Sequence, residues 1–133
     1  MKVSYVTQRQ GFGFTDGILP SQCPSRTVLD HVTSKWGVLV LVALSEETLR
    51  WGELRRVVEG ISEKMLAQTL KTLEADGFIN REAQPSIPPR VDYSLTDRGH
   101  DVVERLLPLM EWIADNAADI VTGSSGSRAA VAS

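Results

Sequence analysis

The stretch WGELRRVVEGISEKMLAQTLKTLEADG, residues 51–77, decides the fold. Its first ten residues place Leu54, Val57 and Val58 on one helical face and end on Gly60, which tolerates the left-handed turn that closes a helix. Ser62 then suits the N-cap of a second helix, because its hydroxyl can accept a hydrogen bond from a backbone N–H of the first turn. In that helix Leu66, Leu70 and Leu73 share one face, Lys64, Gln68 and Lys71 point about the opposite way, and Gly77 supplies the stop. Two helices joined by a glycine-containing turn form a helix-turn-helix.

Downstream, FINRE and RVDYSLT are two short strands, the second alternating Val91, Tyr93 and Leu95 against Asp92 and Ser94. The connector AQPSIPP carries three prolines, which stiffen a hairpin loop. Thr96 and Asp97 open a last helix by side-chain capping and a favourable dipole interaction. Upstream, Cys23-Pro24-Ser25 starts a helix in which Val28, Leu29 and Val32 recur. Between them Val38, Val40 and Val42 alternate like a strand, yet Leu39, Leu41 and Leu44 make every face apolar, so period alone leaves a buried strand and a buried helix open. The order predicts a mainly α fold with a small β-hairpin (α+β): a winged helix-turn-helix with a C-terminal dimerisation helix over 23–121. Residues 1–22 read as a flexible N-terminal arm and 122–133 as a disordered tail.

A chain of 133 residues with 42% hydrophobic and 23% charged residues fits one compact domain plus tails, which excludes collagen and full disorder. One cysteine closes no intrachain disulfide, and with two separated histidines it builds no four-ligand zinc site. The longest apolar run, Trp36–Leu44, is about half of the roughly 18 residues a membrane span needs. The N-terminus has no secretory signal pattern, so a cytoplasmic location with a reduced thiol is expected. No phosphate loop or nucleophile constellation is visible, so no enzyme, cofactor or metal is expected. His31 follows Cys23 by eight residues, about 12 Å along a helix and too far for activation, and His100 reads as solvated.

Several motifs in order carry a family resemblance: Cys23-Pro24, Lys35-Trp36, Glu53-Leu54, Gly60-Ile61-Ser62-Glu63-Lys64-Met65-Leu66, Leu73-Glu74-Ala75-Asp76-Gly77-Phe78-Ile79 and Pro88-Pro89-Arg90-Val91-Asp92-Tyr93-Ser94-Leu95-Thr96. Over about 23–113 the chain resembles the HxlR-type regulators, bacterial winged-helix transcription factors related to the MarR group. The resemblance implies a homodimer that binds double-stranded operator DNA, with 62–75 as recognition helix and the hairpin around 82–90 as wing. It also implies a helix at 35–45. Ser34 departs from a usual glycine, Trp51 from a usual phenylalanine, and the arm before Cys23 is longer than is typical.

On such a surface Ser62, Glu63, Lys64, Met65, Gln68 and Thr69 are the expected base-reading positions, since a recognition helix presents its first turns to base edges. Gln68 can pair bidentately with adenine, and Lys64 can reach guanine or a phosphate. Lys71, Arg55 and Arg56 are candidates for phosphate, and Arg81 and Arg90 flank the wing. A net charge of −3 argues against a strong nucleic-acid binder. Its distribution softens this, because 50–90 balance to +1 while 97–121 carry −4.

From Val102 to Val121, thirteen of twenty residues are apolar, more than one core-facing stripe. Val103, Leu106, Met110, Ile113, Ala117 and Ile120 step by three and four like a coiled-coil seam, so a second copy is the expected cover. Pro108 inside this pattern is expected to kink the helix near Glu104–Leu107. Cys23, at the start of the first helix beside Arg26, faces backbone N–H groups and a positive dipole end that favour thiolate, the reactive form in redox sensing. The resemblance points to the same position as a sensor. Two other readings stand beside it: a repressor controlled by an aromatic or lipophilic inducer in a pocket between dimer helix and winged domain, and a winged-helix module that binds protein. For the pocket, Trp36, Trp112 and Phe78 are candidate lining residues, although core packing is their first expected role.

Overall fold

The computed structural model describes residues 21–123. Its elements run α1 Pro24–Thr33, α2 Lys35–Ala43, β1 Leu49–Arg50, α3 Trp51–Val57, α4 Glu63–Ala75, β2 Ile79–Gln84, β3 Arg90–Leu95 and α5 Asp97–Thr122. Residues 1–20 of the expected arm and 124–133 of the expected tail lie outside the described residues.

Cys23 stands at the N-cap of α1 with Pro24 in the first turn, where a missing N–H costs nothing. Ser34 both ends α1 and caps α2: its hydroxyl accepts the Gly37 N–H at 3.1 Å. Its backbone is extended (φ −64°, ψ 149°), so this site makes no demand for glycine. The ambiguous apolar segment is the helix α2, and its all-round hydrophobicity has a simple cause. α2 is wrapped by α1, α3, α4 and α5, with Val40 and Leu41 wholly buried and Val38, Leu39 and Ala43 packed against the core.

The sheet has the order β1-β3-β2, all antiparallel. β2 and β3 form the expected hairpin, with Ile79 opposite Leu95 and Gln84 opposite Arg90. β1 adds the pairs Leu49 with Tyr93 and Arg50 with Asp92, and two residues are too few to show any period in sequence. The expected apolar face of α3 needs one correction. Leu54 and Val58 are buried, whereas Val57 is 59% exposed. α3 ends at Val57, and Val58 leaves the helical period (φ −94°, ψ 77°) to turn inward.

The core centres on Val40, Leu41, Leu54, Leu66 and Leu73, with Phe78, Ile79, Tyr93 and Leu95 from the sheet side. Gly60 (φ 91°) turns the chain between α3 and α4, and Gly77 (φ 83°) turns it from α4 into β2, a conformation costly for any side chain with a Cβ. α5 starts where expected, with the Thr96 hydroxyl accepting the Gly99 N–H at 3.0 Å. It runs through Pro108, the position where a kink is expected, as one continuous helix. Both Pro108 and Glu104 lie on the exposed side, so the carbonyl left without a partner faces water.

Candidate nucleic-acid interface

α3, the Gly60 turn and α4 build the protruding face. The Ser62 hydroxyl accepts the Met65 N–H at 3.0 Å, a cap that contributes about 1 kcal/mol to the start of α4. Arg55 Nη1 donates to Glu63 Oε2 at 3.0 Å, tying α3 to the first turn of α4 across the turn. Arg55 and Glu63, both expected at DNA, therefore also brace the motif against itself. Exposure of the pair keeps its contribution small.

Along α4, Ser62, Glu63, Lys64, Gln68 and Lys71 are exposed, as expected. Thr69 is not: it is 9% exposed and belongs to the buried row. The reason lies in the helical spacing, since Thr69 is three residues after Leu66 and four before Leu73. Met65 is half-buried and packs against the core, which removes it from the outward set. Ala67, exposed between Lys64 and Lys71, was missed because its small apolar side chain carries no chemical signal. The outward row of α4 is then Lys64, Ala67, Gln68 and Lys71, with Ser62 and Glu63 exposed at its start.

In the hairpin, Arg81 and Arg90 are exposed. Asp92 holds the base of the wing: it pairs with Arg90 Nε at 3.3 Å and accepts from Gln84 Nε2 at 3.2 Å. Arg56 on α3 is exposed, and Arg50, which sequence reasoning counted only as charge, is exposed beside it. The result is one helix and one hairpin presenting cations and amide groups on a braced frame.

A second set of exposed side chains is apolar. On α5, Leu109, Trp112, Ile113, Ile120 and Val121 are 43–83% exposed, and on α1 Val28 and Leu29 are about 40% exposed. Of the expected seam, Ile113 and Ile120 are exposed and Met110 and Ala117 half-buried. Val103 and Leu106 instead pack inside the chain's own core, because the first turns of α5 lie against α2 and β3. An apolar cavity of about 250 Å³ opens between α2 and α5, lined by Val38, Leu39, Leu106, Leu109, Met110 and Ile113. Trp36, Trp112 and Phe78, the candidate lining residues, do not line it. Phe78 is core, Trp36 packs on the core with Lys35 Nζ 4.4 Å from its ring centre, and Trp112 faces outward. Cys23 is half-buried, and its side chain makes no capping hydrogen bond. Among the described residues no helix is long and apolar enough to cross a membrane.

A capped recognition helix behind a glycine turn, followed by a braced hairpin, defines the winged helix-turn-helix class of DNA-binding transcriptional regulators. The chain belongs to the HxlR-like helix-turn-helix family, whose profile matches residues 31–120. It is 55% identical over 104 residues to the HTH-type transcriptional regulator YtfH of Escherichia coli K12, covering 78% of this chain and 82% of that one. Its fold is similar to the solved structure of the regulator YtfH from Salmonella typhimurium, with a TM-score of 0.73, 51% identity, and coverage of 79% and 94%. It is also similar to the redox regulator HypR in its oxidized form, with a TM-score of 0.66, 35% identity, and coverage of 71% and 97%.

Proposed function

We propose that the protein is a homodimeric, sequence-specific repressor that reads operator DNA with α4 and the wing and takes its signal as thiol modification of Cys23. The observation that carries the DNA reading is the outward row Lys64, Ala67, Gln68 and Lys71 on a helix anchored at its start by the Ser62 cap. Dimerisation is supported by the exposed apolar side chains Leu109, Trp112, Ile113, Ile120 and Val121 of α5, with Val28 and Leu29 of α1. A dimer offers two recognition helices to two half-sites and doubles the phosphate contacts of a chain whose net charge is −3.

Cys23 starts α1, the helix that also bears Val28 and Leu29, so a group added to its sulfur lies at the margin of that apolar surface. With one cysteine per chain, the accessible products are an intersubunit disulfide, a mixed disulfide with a small thiol, a sulfenic acid or an alkylated thioether. The similarity to a redox regulator supports this input. Control by a non-covalent lipophilic inducer is the second reading, supported by the apolar cavity between α2 and α5.

The deciding experiment is fluorescence anisotropy of the reduced protein on the DNA upstream of its own coding sequence, with competitor DNA, repeated after diamide and again after dithiothreitol. Binding that changes with oxidant and recovers with reductant supports thiol input. Binding that ignores oxidant but responds to a lipophilic ligand moves the input to the cavity, and no binding at low salt favours a protein partner. Affinity should fall steeply with salt, since phosphate contacts release counterions.

A further inference from the structure

The wing ends in an apolar point. Ile87, at the tip of the β2–β3 loop, is 100% exposed, the highest exposure of any large apolar residue among those described. The loop that carries it is stiff: Pro85, Pro88 and Pro89 fix their own φ angles. The Ser86 hydroxyl donates to the Pro88 carbonyl at 2.8 Å, and the Ser86 N–H donates to the Gln84 carbonyl at 2.8 Å. Below, the Asp92 contacts with Arg90 and Gln84 stiffen the strands. The loop that presents this side chain is ordered before binding, so only the rotamers of a stiff β-branched side chain remain to be fixed.

Beside this point runs a cationic track. A groove of about 500 Å³ lies between the wing loop and the start of α3, lined among others by Arg50, Gly52, Ser86 and Arg90. It adjoins a second groove of about 320 Å³ lined by Arg50, Gly52, Glu53 and Arg56. The two share Arg50 and Gly52, so Arg90, Arg50 and Arg56 form one strip leading away from the tip. Two carboxylates adjoin it: Glu53 turns Oε1 to the Arg50 backbone N–H at 2.8 Å, and Asp92 pairs with Arg90 Nε at 3.3 Å. An added Cβ at Gly52 would meet nothing within 4 Å, which leaves the floor open to a sugar-phosphate strand.

We propose that Ile87 enters the DNA minor groove as an apolar wedge while Arg50, with Arg90 and Arg56, holds the adjoining phosphates. This rests on the DNA-binding reading above and adds two contact residues to it. An apolar side chain flanked by cations matches a groove whose floor is the uncharged base edge and whose walls are phosphate. Isoleucine is among the side chains that architectural proteins press between base steps, and the resulting contact discriminates A·T from G·C, because the guanine N2 amino group fills the groove floor.

The test uses the full chain, as wild type, Ile87→Ser and Arg50→Gln, on a labelled duplex of the DNA upstream of its own coding sequence across a potassium chloride series. The same duplex made with inosine for guanine strips N2 from the minor groove and keeps the major-groove pattern. Ile87→Ser is expected to bind about tenfold more weakly, about 1.4 kcal/mol, with the salt slope unchanged. Arg50→Gln is expected to weaken binding and lower the magnitude of the slope by about one. Inosine should tighten the wild type and leave Ile87→Ser unmoved. Superimposable isotherms for wild type and Ile87→Ser overturn the wedge, and an Arg50→Gln slope equal to wild type overturns the track. A wild type that binds no duplex at low salt overturns the DNA reading itself. Because Ile87 has no partner in the fold, its variant should melt with the wild type.

Discussion

His31 Nδ1 lies 2.6 Å from Asp76 Oδ2, joining α1 to the C-cap of α4 across 45 residues of sequence. The Asp76 backbone carbonyl also accepts from Arg98 Nη1 of α5 at 2.7 Å. The end of the recognition helix is therefore tied to the helix that Cys23 starts and to the helix that bears most of the apolar surface. The side chains of His31 and Asp76 are 32% and 23% exposed, so the pair is partly wet. His31→Ala should lower stability by about 1 kcal/mol, the net value of one such bond. It should also weaken DNA binding, because α4 loses an anchor at its end. Urea midpoints and anisotropy titrations measure both, and identical values for variant and wild type would mean that water replaces the imidazole at no cost.

Neighbouring residues on α4 should separate base reading from packing. Gln68 is exposed and its amide suits adenine N6 and N7, so Gln68→Ala should weaken specific binding by about 1–3 kcal/mol while the melting temperature stays put. Thr69 is buried. Thr69→Lys should unfold the domain by burying an unpaired charge, whereas Thr69→Val should retain the base preference of the wild type. Competition between duplexes differing at single positions reads the difference, and altered preference in Thr69→Val would return that residue to the DNA face.

α5 divides in the same way. Leu106 is 7% exposed in the chain's own core, and Leu106→Ala should cost about 2–5 kcal/mol through loss of burial and the cavity left behind. Ile113 is 43% exposed on the surface assigned to a second copy. Ile113→Asp should leave a folded monomer, with sedimentation equilibrium giving one chain mass and circular dichroism unchanged. A dimer that survives Ile113→Asp, Trp112→Asp and Ile120→Asp together would place the interface elsewhere.

What could be read from sequence was local chemistry. Ser62 and Thr96 cap because a hydroxyl and the N–H it serves lie three residues apart, and Gly60 and Gly77 mark turns that only glycine makes cheaply. Residues at the edge of a period were less legible. Val57 and Val58 are adjacent, and which of them faces inward depends on where α3 stops. Thr69 fits the buried row by spacing, yet its place in the first turns of α4 put it among the expected base-reading positions. α2 offered no period because it is surrounded on every side. The His31–Asp76 pair left no trace, since nothing local connects residues 45 apart, and β1 exists only through β3. Ile87 was hidden in a proline-rich loop whose exposure depends on how far the hairpin projects.

The thiol prediction tests how these parts connect. Cys23 caps α1 without using its sulfur in a hydrogen bond, so Cys23→Ser should leave fold and reduced-state DNA affinity within about 0.5 kcal/mol of wild type. The response to diamide should vanish in this variant, as no other sulfhydryl exists in the chain. If the response travels along α1 to Asp76, His31→Ala should keep the chemistry at Cys23 while reducing the change in DNA affinity that oxidation produces. Mass spectrometry of the modified thiol and anisotropy on the same samples distinguish the two. Full modification with an undiminished DNA response in His31→Ala would route the signal through the α5 surface instead, where a shift between subunits moves both recognition helices without help from the His31–Asp76 pair.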